Sequence, residues 1–157
     1  MNLAALSPVP FENVYHMGVV VADIDRAIAE LSQQLGIAFE APFSVSVGAE
    51  YRGVFGQHAV TVSYGRQGPP YLELLQGAPG GIWAIEDGPR MHHLGVWVED
   101  LAKEVRRLEA AGMNTEMLGK DAEGNPRLFA YMSNAHGVRV ELVDAVGRPG
   151  LLARLNA

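Results

Sequence analysis

Two short stretches of the chain, HMGVVVADI at residues 16–24 and HLGVWVEDL at residues 93–101, are copies of one pattern. Five of their nine positions are identical, and the copies lie 77 residues apart in a chain of 157 residues. Repetition at a fixed spacing indicates that one supersecondary unit is used more than once. The repeat therefore predicts a single domain that is built from two similar halves.

Each copy predicts a strand followed by a helix. Short Val-rich runs precede Asp23 and Asp100, which is typical of buried strands. Apolar residues recur with a helical period after each aspartate, so we expect Asp23 and Asp100 to be N-caps. Gly36 and Gly112 follow the two helical patterns and are expected to end the helices.

The remainder of each half is rich in short β patterns. The candidate strands are 43–47, 59–64 and 71–75 in the first half, and 115–118, 128–132 and 138–143 in the second half. We therefore predict an α+β fold in which tandem βαβββ modules form a curved eight-stranded mixed sheet around a cleft. The modules span about 12–76 and 91–145, a Gly- and Pro-rich linker covers 77–90, and a tail with a short helix covers 146–157.

Composition excludes several classes of protein. Apolar residues make up 48% of the chain and charged residues 19%, so we expect a compact core rather than disorder. The net charge of −6 disfavours nucleic-acid binding, and the lack of cysteine excludes disulfides and a thiol nucleophile. No apolar run reaches the ~18–20 residues of a membrane span, and no signal peptide is recognisable. We expect a cytoplasmic protein that binds neither nucleic acid nor membranes.

Four ionisable residues occupy equivalent positions in the two halves, namely His16 with His93 and Glu73 with Glu141. The histidines begin apolar strands, and the glutamates interrupt the closing strands YLELLQ and RVELVD. A carboxylate among apolar neighbours is costly to bury without a partner, and both halves repeat that cost. Two imidazoles and two carboxylates predict a divalent metal site in the cleft. A closed zinc site with a structural role is the alternative.

The order of these motifs resembles that of the vicinal oxygen chelate superfamily. The segments YHMGVVVADIDRAIAEL, YLELLQG, HHLGVWVEDL and HGVRVELVD carry the resemblance, which covers roughly residues 14–144. This superfamily includes glyoxalase I, methylmalonyl-CoA epimerase, extradiol dioxygenases, and the bleomycin and fosfomycin resistance proteins. The resemblance implies paired βαβββ modules around one divalent ion with His16, Glu73, His93 and Glu141 as ligands. It also suggests a homodimer, and in some relatives the metal site is assembled between chains.

The ligand set predicts a reaction class. A divalent ion makes the carbon next to a bound carbonyl more acidic, because it stabilises the developing negative charge on oxygen. Glu141 and Glu73 are the candidate catalytic groups that move the proton. We predict an isomerase, epimerase or lyase of the glyoxalase/methylmalonyl-CoA epimerase type that uses Ni, Co, Zn, Mn or Fe and a small carbonyl substrate. The alternatives are a small-molecule-binding or antibiotic-resistance protein without turnover and an extradiol-type dioxygenase.

Aromatic residues near the four ionisable residues are candidates for substrate binding. Trp97 lies four residues after His93 in the same strand, so the two side chains share a face. Phe129 and Tyr131 share a face of another strand, and Trp83 lies in the linker. Tyr64 and Met91 are further candidates for the same pocket.

Other polar residues are weaker candidates. His92 aligns with Tyr15 in the repeat, one position ahead of the histidine pair, so we expect it to contact substrate, to support the site or to have a structural role. Metal binding by His92 is the alternative. Glu50 is a candidate second base, and Arg52 and Arg127 are candidate contacts for an anionic substrate.

Overall fold

The two halves have the same order of elements in the structure, a computed structural model that describes residues 11–86 and 88–157. The first half contains β1 (Val14–Val20), α1 (Ile24–Leu35), β2 (Phe43–Tyr51), β3 (Val54–Tyr64) and β4 (Tyr71–Gly77). The second half contains β5 (Arg90–Val98), α2 (Leu101–Ala110), β6 (Asn114–Lys120), β7 (Pro126–Ser133) and β8 (Arg139–Asp144). A short 3-10 turn then leads into α3 (Arg148–Leu155), the helix expected in the tail.

Both long helices begin at the predicted N-caps. The carboxylates of Asp23 and Asp100 each accept a hydrogen bond from the backbone N–H three residues further on, at 3.0 and 2.9 Å. Helix α1 ends at Gly36, whose φ of 70° is readily adopted only by glycine. Helix α2 ends one residue earlier than predicted, because Ala111 caps it and Gly112 follows with a φ of 94°.

The eight strands form a closed barrel in the order β1-β4-β3-β2-β6-β7-β8-β5. The predicted eight-stranded mixed sheet is confirmed, and the structure adds its closure. The pairs β1–β4 and β5–β8 are parallel, whereas the other pairs are antiparallel. The two halves are joined at two seams, β1–β5 and β2–β6, so each of the eight described strands is paired on both sides.

Apolar side chains pack on both faces of the barrel wall. One cluster fills part of the interior and includes Leu151 and Leu155 of α3. Two smaller clusters lie outside the wall, one under α1 and one under α2. Burial on both faces explains why the strands β1 and β5 read as nearly continuous apolar runs. Within the described residues, no helix is long and apolar enough to cross a membrane.

The seam between β1 and β5 contains two bulges at equivalent positions. Along β1 the pairing skips Tyr15, and along β5 it skips His92. An extra residue in one strand re-aims the side chains around it. Tyr15 and His92 are both buried, and each immediately precedes one of the two repeated histidines.

Candidate metal centre

The four repeated ionisable residues converge inside the barrel. They come from four consecutive strands of the wall, in the order β4, β1, β5 and β8. The pairing of these strands places Gly18 opposite both Glu73 and His93. Gly95 lies opposite His16 and Glu141 in the same way. The predicted convergence is therefore a consequence of strand register in the two halves.

The polar atoms of the four side chains are closely spaced. The Nε2 atoms of His16 and His93 are 2.7 Å apart. The Oε2 atom of Glu73 lies 3.3 Å from Nε2 of His16 and 3.1 Å from Nε2 of His93. For Oε2 of Glu141 the corresponding distances are 3.0 and 3.3 Å. The imidazole side chains are fully buried, and the side chains of Glu73 and Glu141 are 7% and 12% exposed.

This arrangement fits a divalent cation. Ligand atoms about 2.1 Å from one ion and at right angles lie roughly 3 Å apart, which matches the observed spacing. Among the described residues, Oε2 of Glu73 is buried without a hydrogen-bond partner, so it can act as a ligand. The four groups offer ligand atoms within 4.8 Å of one another and belong to one chain. The cluster could therefore bind a divalent ion without a ligand from a second subunit.

The electrostatics of the metal-free cluster lead to the same conclusion. Burial opposes a charge on His16, but the carboxylates of Glu73 and Glu141 outweigh it and raise the pKa of His16 to about 10. The pKa of His93 is raised for the same reasons. Burial likewise opposes ionisation of the two glutamates, yet the imidazolium groups lower the pKa of each carboxyl. Protons on the imidazoles thus balance two buried carboxylates, and a divalent cation would balance them equally well.

Two glycines create the space for the histidine rings. The ring of His16 lies over Gly95, and the ring of His93 lies over Gly18. A Cβ atom added at Gly95 would be 1.9 Å from Cε1 of His16, and one at Gly18 would be 2.1 Å from Cε1 of His93. This reciprocal packing explains why both copies of the repeat read His-x-Gly, since each copy supplies the glycine for the other copy's histidine.

His92 supports His93 from behind. Its Nε2 lies 2.8 Å from the carbonyl oxygen of Ile82, and its Nδ1 lies 2.9 Å from Nδ1 of His93. A carbonyl only accepts, so Nε2 of His92 carries its proton and Nδ1 of His92 accepts from His93. Burial, followed by the charges of His93 and Arg139, lowers the pKa of His92 to about 3, which keeps it neutral. When His93 is neutral, as a metal ligand must be, this contact holds its proton on Nδ1. The lone pair of its Nε2 then faces the cluster.

A cavity of about 400 Å³ adjoins the cluster on one side. Both Glu73 and Glu141 are part of its lining, whereas His16 and His93 are not among the described lining residues. Its aromatic lining residues are Tyr15, Phe43, Tyr64, Trp83, Trp97, Phe129 and Tyr131. The carboxylates therefore separate the imidazoles from the space that a substrate would occupy.

Most of the predicted substrate-binding residues lie at this cavity. Trp83, Trp97, Phe129 and Tyr131 all contribute to its wall, as expected. His92 is not among the described residues that line it, because it sits behind His93. Met91 is also absent from the described lining, and its side chain is exposed at the surface.

The other polar candidates are away from the described lining of the cavity. Glu50 accepts a hydrogen bond from the ammonium group of Lys120 in the neighbouring strand. Arg52 lies in the turn between β2 and β3, and Arg127 is exposed on β7. Neither arginine is among the described lining residues, so an anion bound in the cavity would not reach them.

Two tyrosines form an additional symmetric pair that sequence spacing obscures. In the strand pairing, Tyr64 lies opposite Glu73 and Tyr131 lies opposite Glu141. Burial, followed by the nearby carboxylates, raises the pKa of both hydroxyls well above the ordinary value, so they stay neutral. The hydroxyl of Tyr131 accepts a hydrogen bond from the indole N–H of Trp83 at 3.0 Å. The two tyrosines are separated by 67 residues, whereas the two histidines are separated by 77 residues, because the loops of the two halves differ in length. A search at the spacing of the histidines therefore misses the tyrosines.

Sequence reasoning also missed Tyr15 and the contribution of α3. The ring of Tyr15 stacks on Trp97 with centroids 3.8 Å apart, and its alignment with His92 was the available signal. Leu151 and Arg154 of α3 also line the cavity. No local pattern identifies these two residues, because their position depends on where α3 meets the barrel.

Comparison with known proteins agrees with this architecture. No curated protein matches the sequence. Methylmalonyl-CoA epimerase from Mycobacterium tuberculosis is 23% identical, with 82% of this chain and 85% of that chain covered and a TM-score of 0.55. A Streptomyces coelicolor methylmalonyl-CoA epimerase variant in complex with 2-nitronate-propionyl-CoA is 17% identical, with 84% and 96% covered and a TM-score of 0.57.

A third solved structure is a mutant of 4-hydroxymandelate synthase from Streptomyces coelicolor, which is 22% identical with a TM-score of 0.57. The alignment covers 85% of this chain but 38% of that longer chain. At such identities the three structures establish a shared fold. Residues 15–131 match the model of one protein family, and this match covers most of the chain. The protein therefore belongs to the Glyoxalase/Bleomycin resistance protein/Dioxygenase superfamily.

Proposed function

We propose that the protein is a divalent-metal-dependent isomerase, epimerase or lyase that moves a proton at the carbon next to a carbonyl group. The observation that carries this proposal is the position of the two carboxylates. Glu73 and Glu141 contact both imidazoles and also line the apolar cavity, so they face the ion and the substrate at once. A purely structural metal site would have no need of a cavity beside its ligands.

The roles of the four residues follow from their positions. His16, His93, Glu73 and Glu141 would hold the ion. A bound divalent ion supplies Lewis-acid stabilisation of the negative charge that develops on the carbonyl oxygen of the substrate. The aromatic lining residues provide an apolar surface beside the reacting carbon, where such electrostatic interactions are stronger than in water.

A glutamate would carry the proton. Glu141 has the more exposed of the two carboxylates, and its lowered pKa keeps it ionised and able to accept a proton. When Glu141 takes the proton, the C–H electron pair forms a double bond to the carbonyl carbon and the carbonyl π pair moves onto oxygen. Return of the proton to the opposite face gives epimerisation, and return to another atom gives isomerisation. Glu73, the equivalent residue of the other half, is the candidate for that second transfer.

The relatives support the reaction class more than any one substrate. Two of the three solved structures compared above are named methylmalonyl-CoA epimerases, and epimerisation is a proton transfer of this kind. Both carboxylates of the cluster line the cavity and can accept a proton, which favours proton transfer over the extradiol-type dioxygenase reaction.

Proton exchange in deuterated buffer tests the proposal. The protein is stripped with a chelator, reloaded with Ni, Co, Zn, Mn or Fe(II), and incubated with small hydroxyketones while NMR follows loss of the α-proton. We expect exchange in the loaded wild type and a rate at least ~100-fold lower per bound metal in Glu141→Gln. Glu50→Gln is the matched control, because its ion pair with Lys120 lies away from the described cavity lining.

Other outcomes would replace the proposal. Ligand retention without exchange would identify a binding or resistance protein, and oxygen uptake with a catechol would identify a dioxygenase. Unchanged metal content in both His16→Ala and Glu141→Ala would remove the proposed metal centre.

A further inference from the structure

The rim of the cavity carries one cation whose charge is already paired. Among the described lining residues, the charged ones are Glu73, Glu141 and Arg154. Arg154 lies on α3 and its side chain is 46% exposed, so it marks the outer end of the cavity. Its Nε and Nη2 groups donate to the carboxylate of Glu40 at 3.3 and 3.1 Å. The side chain of Glu40 is only 9% exposed, which makes this two-point ion pair well shielded on the glutamate side.

Further contacts hold the guanidinium group of Arg154 in place. Its Cζ lies 4.5 Å from the ring centroid of Phe43 and 5.9 Å from that of Tyr64. Helix α3 is anchored beside it, because Arg66 donates to the carbonyl oxygen of Leu155 at 3.0 Å. Arg154 is therefore fixed on Glu40 and on two aromatic faces, and little of its charge is available to a ligand.

The space between the rim and the two inner carboxylates is apolar. At the ~30 Å³ that one water molecule occupies, the cavity of about 400 Å³ holds roughly 13 non-hydrogen atoms. Apart from paired Arg154, the described lining offers no cation that could compensate a carboxylate or a phosphate on a ligand. An anion placed there would lose its hydration without a partner, which is costly.

We infer that the cavity selects substrates whose distal part is uncharged and mostly apolar, and that Glu40 sets this selectivity by neutralising Arg154. This inference rests on the proposed function for the oxygen-bearing end of the substrate, which would lie at Glu73 and Glu141. Glu40 itself is not among the described lining residues, so it acts through Arg154 as a specificity-determining residue.

Two isosteric probes separate charge from shape. Para-(hydroxyacetyl)benzamide and para-(hydroxyacetyl)benzoate carry the same hydroxyketone and differ in the charge of the distal group. Their affinities for the metal-loaded protein are measured by calorimetry and by quenching of tryptophan fluorescence, since Trp83 and Trp97 line the cavity. We expect the wild type to bind the benzamide at least ~10-fold more tightly than the benzoate. The carboxylate of the benzoate would lose its hydration in the cavity without gaining a partner.

Substitution of Glu40 should change that ratio. In Glu40→Gln the guanidinium group of Arg154 loses its counter-ion, so the preference for the benzamide should fall by ~10-fold or reverse. In Arg154→Gln the cation is removed and Glu40 remains, so the preference should increase. Glu30→Gln is the matched control, because Glu30 pairs with Arg26 on the exposed face of α1. Thermal unfolding verifies that each variant is folded, and Arg154→Gln provides a second test if Glu40→Gln is not.

The outcomes distinguish this inference from the proposed function. Equal binding of the two probes by the wild type, or an unchanged ratio in a folded Glu40→Gln variant, would overturn the inference. Selective binding without any α-proton exchange would instead leave the inference standing and contradict the proposed function.

Discussion

Replacing Gly95 by alanine should displace His16 and weaken metal binding. The added Cβ would lie 1.9 Å from Cε1 and 2.1 Å from Nδ1 of His16, whereas Cβ contacts below 3.0 Å are essentially never found. The ring must therefore move by about 1 Å, several times the ~0.2 Å tolerance of a metal–ligand distance. We expect metal affinity to fall by at least ~100-fold. Loss of a residue that only supports a ligand costs as little as ~10-fold, and here the ligand itself is displaced. Overpacking should also cost about 1–3 kcal/mol of stability.

Metal binding and folding are measured on the same samples. Elemental analysis gives the metal content after dialysis, titration with Co(II) gives the affinity, and the Co(II) absorption spectrum reports ligand geometry. Thermal unfolding shows whether the variant is folded. Gly18→Ala should have a similar effect through His93, because its Cβ would lie 2.1 Å from Cε1 of that ring.

A glycine with free space provides the control. In Gly56→Ala on β3 the added Cβ would lie 3.6 Å from Nε2 of His58, an ordinary contact, so metal binding should be unchanged. Wild-type affinity and an unaltered Co(II) spectrum in Gly95→Ala would refute the reciprocal packing of glycines and histidines.

Three further predictions concern the surroundings of the cluster. His92→Leu removes the acceptor for Nδ1 of His93, so metal affinity should fall by roughly 10–100-fold, and His92→Gln should recover part of it. Co(II) titration measures the affinity of both variants. Equal affinity of the wild type and the two variants would contradict the assigned tautomer. In the metal-free protein the pKa of His16 is about 10, above the ~6.5 of the unfolded chain. The resulting stability is fully present below pH ~6.5 and lost as pH rises towards 10, so the melting temperature of metal-free protein should fall over that range more than that of loaded protein. Parallel melting curves would exclude this linkage. Trp97→Ala removes the ring stacked on Tyr15, so the benzamide probe should bind at least ~10-fold more weakly at unchanged metal content, as calorimetry can test.

Features that depend on local periodicity were predictable. The helical patterns after Asp23 and Asp100 identified both helices and their N-caps, because capping involves residues only three positions apart. The equivalence of the two halves also predicted the convergence of His16, Glu73, His93 and Glu141, although their role as metal ligands stays a prediction. Repetition was informative here because two copies of one unit place equivalent side chains around a common axis.

Local irregularities in the strand register were not predictable. Strand alternation puts adjacent residues on opposite faces, so it gives no reason for His92 and His93 to contact each other. The bulges in the β1–β5 seam alter that alternation, and no local signal identifies them. The sequence left open whether His92 contacts substrate or supports the site, and the contact of its Nδ1 with Nδ1 of His93 favours the support.

The sequence by itself determined the duplicated βαβββ unit, the helix caps and the set of four ionisable residues, because each follows from local pattern or internal symmetry. The tertiary structure decided the closure of the barrel, the extent of the cavity and the pairing of Arg154 with Glu40 across 114 residues. Such contacts depend on how distant elements pack once the sheet has closed. For this reason the four clustered ionisable residues were recognisable from the repeat. The contacts proposed to select a substrate join residues that lie outside the repeated positions.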